Sequence, residues 1–371
     1  MLRFFDLVWR PIRFLCLVAL ALLSPAALAA AESPAKHYLY MSTPDGAQTD
    51  GRSGNGILVF DIDEGHKLVR RIEVPIFQEG LRGFTGSAAT HCVYYSTTNR
   101  RLGCFDVESE KVVWEKTYPA GCDRSSITTD GKKIYVPTGW WYQGDDSGFL
   151  VVNAADGALL RQLKVGPQAH NSITGLDGRF AYLGTRTMLT IFDTKTDAVV
   201  RQIPDVGESG VFPYTINAAN TIAYVCLGKH VGFDVVDLVK GKALHRVLAN
   251  AQSPIARRTH GAGLTPDESE LWISDQDGKK LFIFDAVKMP PEPKGHVELS
   301  QGGHGWVTFS LDGRYAWPHT PDIFDVKTKK VVATFKDEKG QPVSSSKFIE
   351  VHLRGGKVVA MGNEFGLGRK K

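Results

Sequence analysis

Seven times along the chain a short apolar run ends in an acidic or amide residue: ILVFDID, LGCFDVE, FLVVNAADG, LTIFDTKTD, VGFDVVD, LFIFDAV and DIFDVKT. Counted at Asp61, Asp106, Asn153, Asp193, Asp234, Asp285 and Asp325, the copies are spaced by 45, 47, 40, 41, 51 and 40 residues. A period in this range is the signature of an array of like supersecondary units, and it constrains the fold more than any single motif. An acidic residue that recurs in every copy is a turn former, because a group needed once for chemistry would not appear seven times.

Each copy also keeps an internal order. In HGAGLTPDESELWISDQDGKKLFIFD, residues 260–285, a small-residue run is followed by a turn, a strand-like run, a polar loop and a second strand-like run. DGKKIYVPT, DGRFAYLGT and DGRYAWPHT repeat the second step. The runs are short, β-branched or aromatic, and bounded by Gly, Asp or Asn, so they read as hairpins. Four short strands per copy in seven copies predict an all-β, seven-bladed β-propeller of antiparallel blades, whose circular closure leaves only short sheet edges. HYLYMS falls in a second-strand slot and SKFIEVHL in a first-strand slot. The C-terminal strand is therefore expected to complete the blade begun near the N-terminus. KVVAMG is one strand more than the pattern needs.

The same 260–285 segment resembles the repeat of the YVTN family of β-propellers, whose copies run as His-Gly, an apolar run, Pro-Asp-Gly, Tyr-Val, a loop and Val-Ile-Asp. The resemblance spans nearly all of the chain after its leader and implies the fold. It implies no single activity, since related propellers include surface-layer modules, lactonases, quinoprotein subunits and metal-dependent lyases.

Residues 1–29 read as a secretory signal peptide: Arg3, Arg10 and Arg13, then the apolar run FLCLVALALL, then SPAALAA with cleavage after Ala29. That run is too short to span a bilayer unaided, and no later stretch is apolar enough to cross one. The expected product is a single propeller domain over 30–371, periplasmic or secreted, with no transmembrane segment. A formal net charge of +4 is too small a bias to argue for nucleic acid. Cys16 leaves with the leader, and Cys92, Cys104, Cys122 and Cys226 show no zinc or haem spacing. Cys92 and Cys104 flank a turn, which leaves either a disulfide or two buried thiols open.

In a propeller the segment leading into each first strand opens at the mouth of the central channel. When the copies are aligned on the second-strand turn, those segments present Arg82, Asp123-Arg124, His170, Phe212-Pro213, His260, His304 and Ser346-Lys347. Imidazoles such as His170, His260 and His304 hold a transition metal or move protons near neutral pH. Arg82, Arg124 and Arg258, with Arg186 and Lys347, favour an anion. The plain alternative is that His-Gly belongs to the repeat and bonds a neighbouring blade's backbone. The loop WWYQGDDSG places Trp140, Trp141 and Tyr142 on the same face, and adjacent residues of a pleated run cannot all be buried. His319 either reaches the mouth or forms a rigid turn between Pro318 and Pro321.

No GxSxG, HExxH or P-loop signature is present. Three functions remain. The first is a binding module for a small anionic or glycan-like ligand, or for a periplasmic protein partner. The second is an enzyme, a metal-assisted lyase or lactonase, with His170, His260 and His304 as divalent-metal ligands or acid-base groups and Arg124 and Arg258 stabilising an oxyanion. In type, several histidines plus an arginine at a propeller mouth resemble the oligogalacturonate lyases. The third is a redox subunit resembling the heavy chains of quinoprotein amine dehydrogenases.

Overall fold

The structure, a computed structural model, describes residues 33–44, 54–211, 213–249, 258–303, 305–345, 347–363 and 366. The leader and His304 lie outside them, as does most of the loop after the strand Lys36–Thr43. Among the described residues there are no helices, so none is long and apolar enough to cross a membrane.

The strands form seven antiparallel sheets arranged as a β-propeller. Blade 1 joins the two ends of the chain. Its first strand is Phe348–Arg354, followed by Lys36–Thr43, Gly56–Asp61 and Lys67–Ile72. Blades 2 to 7 follow in chain order over 81–117, 126–164, 171–204, 214–248, 259–298 and 308–334. The extra run is a fifth strand, Lys357–Asn363, paired to the inner edge of blade 1. It lies against the first strand of blade 2, where Met361 Sδ stands 3.0 Å from the point a Cβ on Gly86 would occupy. Asn363 donates to Thr85 Oγ1 there at 3.5 Å.

Burial runs from the axis outward rather than alternating along each strand. The second strand of blade 2, Cys92–Thr97, is buried at every position, whereas the outer strand Lys111–Thr117 is mostly exposed. Blades stack face to face, so the two faces of a middle strand both meet apolar neighbours. Trp272, Trp306 and Trp317 are the largest fully buried side chains.

The recurring acidic residue works as expected, with one correction of register. In every blade its side-chain oxygen accepts backbone N–H groups two or three residues on, in the hairpin between the third and outer strands. Thus Asp61 takes Glu64 N, Asp106 takes Ser109 N, Asn153 takes Ala155 N and Asp193 takes Thr196 N. Asp285 and Asp325 do the same for Val287 N and Thr328 N. In blade 5 the residue in this slot is Asp237, which takes Val239 N and Lys240 N, and not Asp234. Asp234 lies three residues earlier, buried mid-strand. It is paired with Arg246 at 2.8 Å and accepts the Gly207 N–H at 2.9 Å.

Cys92, Cys104, Cys122 and Cys226 are all buried free thiols. Cys92 and Cys104 touch without being bonded, and the register shows why: Cys92 faces Asp106 and Cys104 faces Tyr94, so the two sit diagonally rather than opposite. Diagonal partners on neighbouring strands stand at about the upper limit a disulfide spans. Contact with Cys92, and then burial, push the Cys104 thiol far above its ordinary range. Denatured, unreduced chain lacking residues 1–29 should therefore titrate four thiols with a disulfide reagent, and a count of two would overturn the free pair.

Candidate functional site

Two of the mouth positions are built by the same local device. In blades 2 and 6 the pairing of first and second strands slips by a bulge, between Leu81 and Gly83 and between Thr259 and Ala262. A bulge re-aims the residue it contains, here Arg82 and His260. The glycine that follows permits close approach to the next blade. A Cβ on Gly83 would stand 2.3 Å from Asp123 O, and one on Gly261 1.8 Å from Gly305 O. Second-strand serines then tie these carbonyls down, Ser96 to Asp123 O at 2.9 Å and Ser274 to Gly305 O at 3.3 Å. Between blades 3 and 4 the lead-in segments run side by side, with Arg124 bridging Asn171 in parallel fashion.

The side chains so placed converge from blades far apart in sequence. The rings of His170 in blade 4 and His260 in blade 6 have centroids 6.0 Å apart. Trp306, leading into blade 7, lies 6.2 Å from His170 and 5.7 Å from His260. From blade 3, Arg124 reaches across the channel to stack its guanidinium on Trp306, 3.6 Å from the ring centroid. Both partners of that stack are buried, the setting in which a cation–π contact is worth most, about 2 kcal/mol. Trp140 closes the group, its ring centroid 5.8 Å from that of His170.

Asp123 and His170 form a dyad inside this cluster. His170 Nδ1 lies 2.9 Å from Asp123 Oδ2, and the Trp140 backbone N–H reaches the same oxygen at 3.4 Å. Burial alone would raise the Asp123 carboxyl, but His170, Arg82 and Arg124 outweigh it and hold Asp123 below the ordinary carboxylate range. Burial lowers the His170 imidazole, and the positive charges of Arg124 and Lys347 push it the same way against the pull of Asp123. His170 is therefore neutral at pH 7. An ionised carboxylate only accepts, so the ring proton sits on Nδ1 and the lone pair on Nε2. With its side chain 12% exposed, His170 keeps limited access to solvent.

Of the other sequence-predicted residues, Arg82 and Lys347 act on this dyad through their charge, Lys347 from a buried position. Arg258 does not join them in any described contact, because its Nε bonds Gln276 in a loop of its own blade. Arg186 is exposed on the rim. Trp141 is 77% exposed, whereas Trp140 is half-buried. Tyr142 is tied locally: its hydroxyl bonds Asp146 and its carbonyl takes Gln168 N. His319 is buried beside Gly303 of the segment that leads into blade 7. His304 falls outside the described residues, and among those described no group of three or more His, Cys, Asp or Glu side chains is arranged to hold a metal ion. Of the three imidazoles, His170 and His260 meet, and one nitrogen of His170 already serves Asp123.

One contributor, Trp306, and one exposed apolar pair escaped the sequence reading. Trp306 stands two residues after His304 and looks like ordinary first-strand core, and its role depends on how narrow the channel is. Phe77 and Ile76, in the loop leading into blade 2, are about as exposed as Trp141 on the same face, and Arg101 covers Phe77 at 3.8 Å.

Fold and site together define a seven-bladed β-propeller whose channel is filled at one end by a buried cluster of cations, imidazoles and indoles around a single dyad. Neither a protein-family model nor a curated protein sequence matches the chain. Solved propellers do. Hydrazine synthase of Kuenenia stuttgartiensis superposes with a TM-score of 0.57 at 17% identity, over 70% of this chain and 80% of its own. Dihydro-heme d1 dehydrogenase NirN, in complex with DHE, superposes at 0.55 with 15% identity, over 90% of this chain and 76% of its own. At these identities the likeness is one of fold.

Proposed function

We propose that this is an exported propeller of the YVTN repeat type whose mouth binds a small anionic ligand. The repeat pattern supports the family and the apolar leader supports export. The observation that carries the ligand class is the convergence of Arg82, Arg124 and Lys347 on the Asp123–His170 dyad. A carboxylate or phosphate would be held by guanidinium and ammonium groups in a setting of low water access, with the half-buried face of Trp140 against its body. His170 Nε2 would accept a hydrogen bond from a ligand hydroxyl, which favours hydroxylated anions such as uronates and phosphosugars.

The test is calorimetric titration of uronates, phosphosugars and their uncharged counterparts. Binding should require the anionic group. Arg82→Gln, at a half-exposed position, should weaken it by about 1.5–3 kcal/mol, roughly ten- to a hundredfold. Equal affinity for neutral counterparts, or an unaltered isotherm for Arg82→Gln, would sink this reading.

One observation favours a second reading, an enzyme acting on the same anion. A neutral imidazole oriented by a buried carboxylate is the arrangement of a general base. In that case His170→Gln would abolish turnover while leaving ligand affinity within a few-fold, whereas a purely binding mouth has no turnover to lose. The chemistry of the two solved neighbours does not transfer with the fold.

A further inference from the structure

The closing blade carries a second imidazole pair, at the end of the propeller opposite the mouth. His37 is the second residue of the strand Lys36–Thr43, and His352 lies directly across from it on Phe348–Arg354. These are the strands by which the two ends of the chain complete the ring. The ring centroids are 4.1 Å apart, in an edge-to-face arrangement. Each imidazole has its own carboxylate. His37 Nδ1 lies 2.7 Å from Asp63 Oδ1, and Asp63 Oδ2 takes the His37 backbone N–H at 3.0 Å. His352 Nε2 lies 2.6 Å from Glu350 Oε1, and Glu350 Oε2 takes the Leu311 N–H of blade 7 at 2.7 Å.

The tautomers follow from these bonds. A carboxylate accepts the ring proton, so neutral His37 carries its lone pair on Nε2 and neutral His352 on Nδ1. An imidazole whose far nitrogen donates to a carboxylate is a fixed and more basic metal ligand. The two rings edge a cavity of about 370 Å³ whose charged lining is Asp63, Asp312 and Glu350 against Arg314. Three carboxylates facing one guanidinium give a field that favours a dication.

We propose that His37 and His352 bind a divalent transition-metal ion at the seam, with water completing the coordination. Two imidazoles select a borderline-soft ion, Cu²⁺, Ni²⁺ or Zn²⁺, over Mg²⁺ or Ca²⁺, and the ordinary affinity order puts Cu²⁺ first. The rings stand closer than two ligands on one ion require, so His37 must swing outward, with Asp63, its side chain 44% exposed, moving along to keep their bond. Its side chain is 36% exposed against 19% for His352, so it is the ring at liberty to do so. A bound ion would then link the first and last strands of the ring. The site is independent of whatever the mouth binds.

The experiment is titration of tag-free, chelator-stripped full chain with CuCl₂, NiCl₂, ZnCl₂ and MgCl₂, followed by calorimetry and thermal unfolding. One Cu²⁺, Ni²⁺ or Zn²⁺ per chain should bind and raise Tm, since a ligand held only by the folded state stabilises it. Mg²⁺ should do neither. His37→Ala and His352→Ala should each lose tenfold or more in affinity. Asp63→Asn keeps both imidazoles and should still weaken binding roughly ten- to a hundredfold, a response that a merely structural carboxylate would not give. His170→Ala, at the mouth, should leave the isotherm unchanged. Absence of saturable binding, isotherms indifferent to both seam histidines, or loss of binding in His170→Ala would each overturn the proposal. If one alanine variant does not fold, the other and Asp63→Asn still decide it.

Discussion

Trp306→Ala should destabilise the folded chain by about 3–5 kcal/mol and abolish ligand binding at the mouth. Trp306 is fully buried, and the core it joins belongs to other blades: Ile173, Tyr182 and Leu189 of blade 4, and Val211, Tyr214 and Val225 in and leading into blade 5. Removing the indole leaves a void bounded by several sheets. Each is held by its own strand pairing, so the void cannot collapse without moving whole blades. The same plate supports Arg124 from across the channel and lies within 6.2 Å of both histidine rings. Without it the guanidinium of Arg124 loses its stacked partner while still enclosed, and one of the charges that, after His170 and Arg82, help hold Asp123 ionised is no longer positioned. Trp306→Phe keeps a smaller plate and should recover part of both losses. Urea unfolding of the three proteins measures the cost. A loss under about 1 kcal/mol for Trp306→Ala would mean that the channel is not packed around this ring.

What could be read in advance follows from which interactions repeat. The turn residue is set by local hydrogen bonding, and its recurrence at Asp61, Asp106 and Asp193 made blade number and closure legible from residue types alone. The one slip, Asp234 for Asp237, shows the limit of that signal. GFDVVD offers two aspartates three residues apart. Only the buried pairing of Asp234 with Arg246 and the turn bonds of Asp237 tell them apart. Convergence of His170 and His260 was legible because register around a ring converts equal sequence position into equal height. The Arg124–Trp306 stack was not, because it spans the channel between non-adjacent blades and depends on channel width. Arg258 shows the converse: it holds the right slot, but Gln276 in its own blade is a nearer partner. The extra run KVVAMG had no slot in a four-stranded unit. It adds to the inner edge of blade 1, the one blade whose first strand does not continue into its second, because Lys36–Thr43 already fills that place.

Between pH 6.5 and pH 4 the protein should lose about 3 kcal/mol of stability to one buried imidazole, His66. His66 sits in the turn between the third and outer strands of blade 1, and its Nε2 accepts the indole N–H of Trp317 in blade 7 at 2.9 Å. Tyr315, Trp317 and Phe335 surround it, with ring centroids 4.7 to 5.8 Å away. Burial, with a contribution from Arg314, lowers its pKa from 6.5 to about 4. The unfolded imidazole takes its proton near pH 6.5 and the folded one only near pH 4. Through that window the unfolded chain holds the extra proton, so stability falls as pH falls, at up to about 1.4 kcal/mol per pH unit. Protonation in place would also turn the acceptor of the Trp317 bond into a donor, releasing the latch between the first and last blades. His170, lowered in the same direction, adds to the loss, while the paired carboxylates contribute mainly below about pH 4.5. His66→Gln keeps an acceptor for Trp317 without a titrating ring. It should start less stable at pH 7, since His66 holds a backbone φ of 63° that suits glutamine poorly, and should lose much less between pH 6.5 and 4.5. Urea midpoints measured across that range for both proteins decide the matter. Parallel profiles would mean that His66 is not the group that responds, and the latch between blades 1 and 7 would have to be insensitive to its charge.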